Sequence, residues 1–395
     1  MRITMQFFPI LNSENSTMNM KKLTLIHIFK ILIPFFPIVL FSSCDKDDVN
    51  PVHRVYTAIS AGDNRSYALE SDGTLWWWGS RFLFLSDSDN VNRITPFKIG
   101  SGYIAISAGY NHTLALKSDG TIWAWGSNSS GELGDGTWTT KIHPVKVIGT
   151  DYIKISAGES FSLAIKTDGT LWAWGSNFLN ELGNGGEENI NIPVQIGSGF
   201  IDADAGWLHS LALKSDSTLW GWGFNPSGVV GDSTTITRRI PVQIGTSYLA
   251  ISAGQDYSLG LKSDGTLWSW GSNGMGQLGD GTDIGKIIPT LIGSGYISIS
   301  ASTNGIHSLA MKTDGTLWTW GWNHYGQLGD GTKIDRWSPV KIDSGFTAIS
   351  SGADHSLALK ADGTVWAWGA NYSGQLGDGT SGPYADKSIP IQILE

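Results

Sequence analysis

Two carboxylates lie two residues apart in the segment IDADAGWLHS, at Asp202 and Asp204. On a β-strand both side chains would project from the same face, because successive side chains alternate. Two close carboxylates can take different pKa values and serve as acid and base in glycoside hydrolysis, or they can chelate a cation. The alternative is that this segment has diverged and both aspartates are solvated. A glycan-binding protein or glycan-active enzyme with a site near this pair is therefore our alternative function.

Four histidines share one context, in which Ser or Thr and then Leu-Ala follow: His112, His209, His307 and His355. Metal ligands must converge to within about 2 Å of one ion, whereas these histidines come from separate copies of a repeat, so we expect structural roles. The Gly-Asp-Gly motifs could suggest calcium, but the calcium-loop pattern D-x-[DN]-x-[DN]-G does not occur. The sequence also lacks the GxxxxGK[ST] phosphate loop and the GxSxG nucleophile elbow. We predict no catalytic residue, no metal and no cofactor.

The elements that carry these residues come from a repeat. A tetrapeptide that ends in Trp-Gly recurs at 76–79, 123–126, 172–175, 220–223, 268–271, 318–321 and 366–369, with spacings of 47 to 50 residues. A repeat of this length is typical of propellers and solenoids.

One copy, from Tyr103 to Gly149, contains four runs with strand character: YIAIS, HTLALK, TIWAWG and PVKVI. Asp-Gly separates the second run from the third and predicts a tight hairpin. No stretch has sustained helical periodicity. Four strands repeated seven times predict an all-β fold, a seven-bladed β-propeller of four-stranded antiparallel blades that spans residues 52–395.

The composition agrees with a packed β-fold. The 395 residues include 51 Gly and 19 Trp, and 41% are hydrophobic, which a disordered chain would not show. Fourteen of the tryptophans hold the two flanking positions of the WxWG motifs, and we expect them to pack between blades. The net charge of −9 argues against nucleic acid as a partner, because Lys and Arg hold phosphate backbones. A single cysteine excludes an intrachain disulfide framework.

Antiparallel strands place the loops of each blade on two different faces. The strand 1–2 loops (AGxxHS) and the long strand 3–4 loops share one face, which we call the varied face. The Asp-Gly hairpins and the short IGSGY-type links share the other, the uniform face. Loops on a rigid scaffold usually carry the binding residues, so we expect the partner on the varied face.

Candidate contact residues are aromatic or polar side chains at positions where the copies differ. In the strand 1–2 loops they are Tyr110, Asn111, Glu159, Trp207, Leu208 and Asp256, and in the strand 3–4 loops Phe178, Trp322, Tyr325 and Tyr372. Aromatic side chains with a polar group dominate many binding hot spots and also stack on sugars. Trp207 is the strongest single candidate, since other copies have Tyr, Glu or Gln at that position.

The first 43 residues predict a signal peptide. Lys21, Lys22 and Lys30 accompany the apolar run ILIPFFPIVLF, which is shorter than the roughly 20 residues a membrane span needs. LFSSC, which ends at Cys44, resembles a bacterial lipobox and implies cleavage before Cys44 and lipidation of that residue. A plain signal peptide with an unused cysteine is the alternative. Residues 1–19 precede a better signal start at Met20 and could be a mis-assigned start.

An acidic linker, residues 44–51 with the sequence CDKDDVNP, follows the signal. It resembles the acidic export tag of surface lipoproteins in Bacteroidetes-type bacteria. The expected location is therefore outside the cytoplasm, lipid-anchored to the outer membrane and exposed on the cell surface.

The combination ISAGxxHSLALKxDGTLWxWGxNxxGQLGDGT, followed by Pro, resembles the repeat of the regulator-of-chromosome-condensation family across residues 52–394. The resemblance implies a seven-bladed propeller but says less about function. The founding eukaryotic member is an exchange factor for a small GTPase and acts in the nucleus, where an exported protein would not be. A bacterial secreted β-lactamase-inhibitory protein with similar repeats holds its partner with loops on one propeller face. We therefore expect a monomeric, non-catalytic module that binds an extracellular or cell-envelope protein.

Overall fold

The computed structural model describes residues 54–80 and 91–393, and its regular elements are 28 β-strands. The predicted signal peptide (1–43) and the linker with Cys44 (44–51) lie outside the described residues. Among the described residues, none belongs to a helix that could cross a membrane.

The strands form seven four-stranded sheets, and in each sheet four consecutive strands pair antiparallel in chain order. Blade 1 contains β1 (Tyr56–Ala61), β2 (Arg65–Glu70), β3 (Leu75–Gly79) and β4 (Arg93–Gly100). Blade 2 contains β5 (Tyr103–Ala108), β6 (His112–Lys117), β7 (Ile122–Gly126) and β8 (Lys141–Lys146). Blade 3 contains β9 (Tyr152–Ala157), β10 (Phe161–Lys166), β11 (Leu171–Gly175) and β12 (Ile190–Gly197). Blade 4 contains β13 (Phe200–Ala205), β14 (His209–Lys214), β15 (Leu219–Gly223) and β16 (Arg238–Gly245).

The last three blades repeat the same order. Blade 5 contains β17 (Tyr248–Ala253), β18 (Tyr257–Lys262), β19 (Leu267–Gly271) and β20 (Lys286–Gly293). Blade 6 contains β21 (Tyr296–Ala301), β22 (His307–Lys312), β23 (Thr316–Gly321) and β24 (Arg336–Ser344). Blade 7 contains β25 (Phe346–Ser351), β26 (His355–Lys360), β27 (Val365–Gly369) and β28 (Lys387–Gln392). The predicted all-β, seven-bladed propeller is confirmed.

The first strand of each blade lies at the centre of the ring, where it contacts the first strands of both neighbouring blades. A side chain at the fifth position of each first strand accepts a hydrogen bond of 2.8–3.0 Å from a backbone N–H of the next blade. The acceptors are Ser60, Ser107, Ser156, Asp204, Ser252, Ser300 and Ser350. Because Ser350 accepts from Ala61, blade 7 joins blade 1 directly, and within 54–80 and 91–393 each blade consists of four consecutive strands, with no strand exchanged between the two ends of the ring.

The tryptophans of the WxWG motifs fill the spaces between blades, as predicted. The second tryptophan of each motif is fully buried, and the indole of Trp320 donates to the carbonyl of Gln277 in the preceding blade at 2.8 Å. Trp318, the first of its motif, is partly buried against the same core. Gly279 allows this close approach, because it has a φ of +76° and a Cβ there would lie 2.7 Å from the Trp320 indole nitrogen.

Short backbone bonds join the blades along the uniform face. Tyr103 at the start of β5 donates its N–H to Gly73 in the hairpin of blade 1, and Tyr56 does the same to Gly363 in the hairpin of blade 7. The chain therefore enters β1 on the uniform face. In blades 2 to 7 a lysine at the end of the second strand lies over two rings, as Lys262 lies 4.3 Å from the centroid of Trp268. This regularity fits a scaffold role for the uniform face.

Candidate binding face

An asparagine organises the long loop of the varied face in blades 2 to 7. Asn128 Oδ1 accepts from the N–H of Leu133 at 2.9 Å, and its Nδ2 donates to Asp135 Oδ1 at 3.1 Å. Asp135 lies 3.6 Å from the ammonium of Lys141. Burial acts to raise the pKa of Asp135, but hydrogen bonds from Thr137 and Asn128 and the charge of Lys141 outweigh it, and the pKa is lowered. The Gly-Asp-Gly aspartates thus hold the loops in place.

The four repeated histidines tie neighbouring blades together beneath this face. His112 Nε2 lies 2.8 Å from Ser162 Oγ of the next blade, and that hydroxyl donates its proton to the carbonyl of Glu132. The imidazole nitrogen must therefore be the donor to the serine oxygen. Burial lowers the pKa of His112 to about 3, so the ring is neutral. His209, His307 and His355 repeat this contact with Ser258, Ser356 and Ser66. Among the described residues, no group of three or more His, Cys, Asp or Glu side chains could hold a metal ion.

Three predicted contact residues form one aromatic cluster on blades 6 and 7. Trp322 packs edge-on against Tyr325 with ring centroids 5.6 Å apart, and Tyr325 lies 6.2 Å from Tyr372. His324 stacks on Trp322 at 5.9 Å and also contacts Tyr325. The side chain of Tyr372 is 40% exposed. This aromatic cluster is the only place where the structure brings several aromatic candidates together among the described residues.

Carboxylates adjoin the aromatic cluster where blade 7 meets blade 1. Tyr372 Oη donates to Asn64 Oδ1 at 2.5 Å and lies 3.4 Å from Asp354 Oδ2. Burial, and then the charge of Asp63, raises the pKa of Asp354 to about 6. Burial also raises the pKa of Asp63, although the charge of Arg65 and a hydrogen bond from Asn64 act to lower it. These two negative charges are thus kept close together and poorly solvated.

A cleft of about 350 Å³ continues this region between blades 1 and 2. Its lining residues are Asp63, Asn64, Arg65, Ser80, Tyr110 and Asn111. Two predicted contact residues, Tyr110 and Asn111, therefore lie in the same concave site as Asp63. Arg65 occupies the repeat position that histidine fills in four of the other blades, and its guanidinium donates to the carbonyl of Tyr110.

The other candidates are spread around the ring and share no side-chain contact with the aromatic cluster. Phe178 on blade 3 is 78% exposed. Trp207 and Leu208 on blade 4 are partly buried, and the backbone of Trp207 donates to Gly254 of blade 5. Burial raises the pKa of Asp256. Trp207, our strongest single prediction, thus stands apart from the aromatic cluster.

The repeat pattern also matches a known family. The sequence pattern of the RCC1-like domain matches residues 41–304 and 195–395, which together cover most of the chain. This chain belongs to the RCC1-like domain family. Members of the family are protein-interaction modules and are generally non-catalytic binding or exchange-factor domains. No curated protein sequence is significantly similar to the chain.

Solved RCC1-like structures share the fold. Human WBSCR16 is 20% identical, with a TM-score of 0.72, over 82% of this chain and 94% of that chain. Prp20p of Saccharomyces cerevisiae, described with its binding to Gsp1p and histones, is 22% identical with a TM-score of 0.72, over 83% and 87%. Yeast RCC1 (Prp20) bound to Kap60 is 19% identical with a TM-score of 0.72, over 91% of each chain. The predicted family is confirmed, and at these identities the likeness to solved structures concerns the fold alone.

The aspartate pair of this RCC1-like chain has structural partners. Asp204 occupies a serine position of the central ring and accepts from Ser156 Oγ and from the N–H of Ala253, both at 2.8 Å. Burial raises its pKa to about 6, against the effect of these hydrogen bonds. Asp202 lies 3.4 Å from the ammonium of Lys154. Both carboxylates therefore take part in contacts between neighbouring blades.

Two buried carboxylates of the varied face were missed by sequence reasoning. Glu132 and Glu181 replace the glutamine of the GQLG motif in blades 2 and 3, and both are about 1% exposed. Burial raises the pKa of each, and the charge of Glu159 acts in the same direction. The exchange of Gln for Glu at a repeated position was visible in the sequence. That the two side chains are buried beside Glu159 was not.

Proposed function

We propose that this chain is a membrane-anchored, non-catalytic binding protein that holds a protein partner on its varied face. The observation that carries the proposal is the difference between the two faces. The uniform face repeats one hairpin and one lysine–aromatic contact in blade after blade. The varied face displays different side chains in every blade, and it contains the aromatic cluster and the cleft. A surface of this kind fits recognition of one particular partner.

The proposed anchor is the lipid on Cys44, and the proposed location is the outer surface of the outer membrane. Chain entry supports this arrangement, because Arg54 and Val55 lead into β1 on the uniform face. An anchor upstream of these residues leaves the varied face accessible. More than one acyl chain on the anchor would provide stable attachment.

A protein partner is favoured over a glycan by the family. Prp20p is described with Gsp1p, histones and Kap60 as its partners, and all of these are proteins. A chain at the proposed location would meet other proteins. We expect instead an extracellular or cell-envelope protein, bound by a single propeller, and no nucleic acid.

The test is capture by the full-length chain, purified from membranes in detergent. The bait meets envelope, medium and host-surface extracts, beside a Phe178→Ala, Trp207→Ala, Tyr325→Ala variant and a Leu249→Ala control. Leu249 is 59% exposed on the first strand of blade 5, near the uniform face. A partner held by the parent and the control but lost by the triple variant supports the proposal. Equal loss in the control, or capture of glycans alone on a sugar array, contradicts it.

The anchor has its own test. Cys44→Ser should release the chain from the membrane fraction, and mass spectrometry of the parent should find acyl chains on the amino-terminal peptide that begins at Cys44. An unmodified parent, or a variant that stays with the membrane, contradicts lipid anchoring without bearing on the binding face.

A further inference from the structure

The site where the last blade meets the first on the varied face has an unusual combination of groups. We call it the closing joint and define it by Asp63, Asn64, Asp354, Tyr325 and Tyr372. We propose that the closing joint binds a cationic side chain, arginine or lysine, of the protein partner. The inference rests on the proposed function and names the chemistry that its partner must present.

The hydrogen bonds of the joint leave Asp354 short of donors. The Tyr372 hydroxyl donates to Asn64 Oδ1 at 2.5 Å, and its hydrogen bond to Asp354 Oδ2 is long, at 3.4 Å. Among the described residues, Asp354 forms no ion pair with a lysine or arginine. Its carboxylate therefore retains acceptor capacity at the surface of the protein.

The repeat provides an internal comparison for this deficit. In blade 7, Gln375 Nε2 reaches Asn64 Oδ1 of the next blade at 3.4 Å. Gln327 is the equivalent residue of blade 6, and the residue that its amide would reach is Asp354. Gln327 is fully buried, and its Nε2 has no hydrogen-bond partner among the described residues. The amide of Gln327 therefore donates no hydrogen bond to Asp354.

The charges around Asp354 are mainly of its own sign. Asp63 and Asp386 both act to raise its pKa, whereas the contact with the Tyr372 hydroxyl and the charge of His324 act to lower it. Two carboxylates held close together in a poorly solvated place repel each other. A cation that enters between Asp63 and Asp354 would relieve that repulsion, whereas a neutral sugar hydroxyl would not.

The aromatic rings supply the second half of the recognition. Tyr325 and Tyr372 have ring centroids 6.2 Å apart and border the same carboxylates. A guanidinium or ammonium group within about 6 Å of such a ring is attracted to its face. The cleft shares Asp63 and Asn64 with the closing joint. The partner segment that carries the cation can therefore continue into the cleft toward Tyr110.

The probe is a pair of peptides, N-acetyl-Gly-Arg-Gly-amide and its citrulline analogue, which has nearly the same shape without the charge. Binding to the full-length chain is measured by NMR of the peptides at pH 7.5. We expect the arginine peptide to bind at least tenfold more tightly than the citrulline peptide. Asp354→Asn should remove that difference. The matched control is Asp283→Asn, an exposed carboxylate in the strand 3–4 loop of blade 5, which should leave it intact.

Three results would overturn the proposal: equal binding of the two peptides, an unchanged preference in Asp354→Asn, or an equal loss in Asp283→Asn. A pH series adds a readout that a purely structural role would not move. The arginine preference should fall as the pH drops through about 6, where Asp354 takes up a proton beside Asp63, Asp386, His324 and Tyr372. If the partner captured above is lost in the triple variant but bound normally by Asp354→Asn, the proposed function stands and the cation site is wrong.

Discussion

Tyr372 donates its phenolic proton to Asn64 Oδ1 at 2.5 Å, although the two residues lie 308 positions apart in the sequence. The bond joins the last blade to the first on the varied face, while Ser350 and Ala61 make the corresponding join at the centre of the ring. Tyr372, predicted only as a contact for a partner, therefore also helps to close the propeller. A binding test that truncates Tyr372 to alanine would disturb both roles.

Removal of this hydroxyl alone should weaken ring closure. Tyr372→Phe keeps the aromatic ring and leaves Asn64 Oδ1 with only the longer contact from Gln375 Nε2, at 3.4 Å. We therefore expect the free energy of unfolding to fall by about 1 kcal/mol. Tyr325→Phe is the matched control, because it removes a phenol from the same aromatic cluster. Denaturant unfolding of the two variants checks the prediction, and equal effects would contradict it.

The buried histidines should make the protein sensitive to acid. The pKa of His209 falls from an ordinary value of 6.5 to about 3 in the folded state, because burial disfavours the charged ring. The unfolded chain therefore takes up protons first as the pH drops below 6.5, and stability is lost from there toward pH 3. Linkage gives about 2 kcal/mol per histidine between pH 7 and pH 5.

A variant that copies another blade isolates this effect. His209→Phe reproduces the residue that blade 3 has at this position, Phe161. The difference in unfolding free energy between pH 7 and pH 5 should shrink by about 2 kcal/mol relative to the parent. His143→Phe, at an exposed histidine on β8, is the matched control. An equal change in both variants would show that burial is not the cause.

Asp204 should have the opposite effect from the histidines on how stability depends on pH. Its pKa is raised from 3.8 to about 6 in the folded state, so the unfolded chain loses its proton first as the pH rises. Stability is therefore greatest below pH 3.8 for this group and declines as the pH rises through about 6. At about 1.4 kcal/mol per pKa unit, the decline is at most roughly 3 kcal/mol.

Asp204→Ser gives blade 4 the residue that the other six blades have at this position, and it keeps an acceptor for the Ala253 N–H. We expect a variant that is more stable than the parent at pH 7.5 and less dependent on pH between 4 and 6. Thermal unfolding from pH 4 to pH 7.5 measures both effects. Asp202→Ser, two residues away on the same strand, should not reproduce them. A less stable Asp204→Ser protein at pH 7.5 would argue that the carboxylate is needed at that joint.

The glycines beside the second tryptophans should be intolerant of side chains. Gly279→Ala places a methyl group 2.7 Å from the Trp320 indole nitrogen at a φ of +76°, so both contact and backbone are strained. We expect a loss of at least about 1 kcal/mol. Gly274→Ala in the same loop meets nothing within 4 Å and should cost less than about 0.5 kcal/mol. Chemical denaturation of both variants measures the two losses of unfolding free energy, and similar losses would contradict the packing argument.

Much of the fold follows from local sequence signals. The alternation in TIWAWG and the Asp-Gly at 119–120 predict the β6–β7 hairpin, and the structure pairs Leu116 with Ile122 across it. These signals are reliable because a hairpin depends on residues that are close in the sequence. The period of the WxWG motifs extends that local result to seven blades. Which loops share a face then follows from strand direction alone.

The candidate site was only partly predictable, because its residues come from different blades. The sequence predicted Trp322, Tyr325 and Tyr372 as contact residues, and the structure places them in one aromatic cluster. It favoured Trp207 more strongly, and that residue lies outside the cluster. The distance between two loops depends on how far apart their blades lie around the ring. A single copy of the repeat contains no information about that distance.

The sequence by itself determined the strands, the repeat, the family and the face on which the loops vary, since each of these depends on neighbours in the chain or on the period of the motif. Only the tertiary structure decided which strand lies at the centre, how blade 7 joins blade 1, and that Asp354 and Asp63 share one joint. Those features depend on contacts between residues about 290 to 310 positions apart. Such contacts form only once all seven blades have closed into a ring, which brings residues from its two ends together.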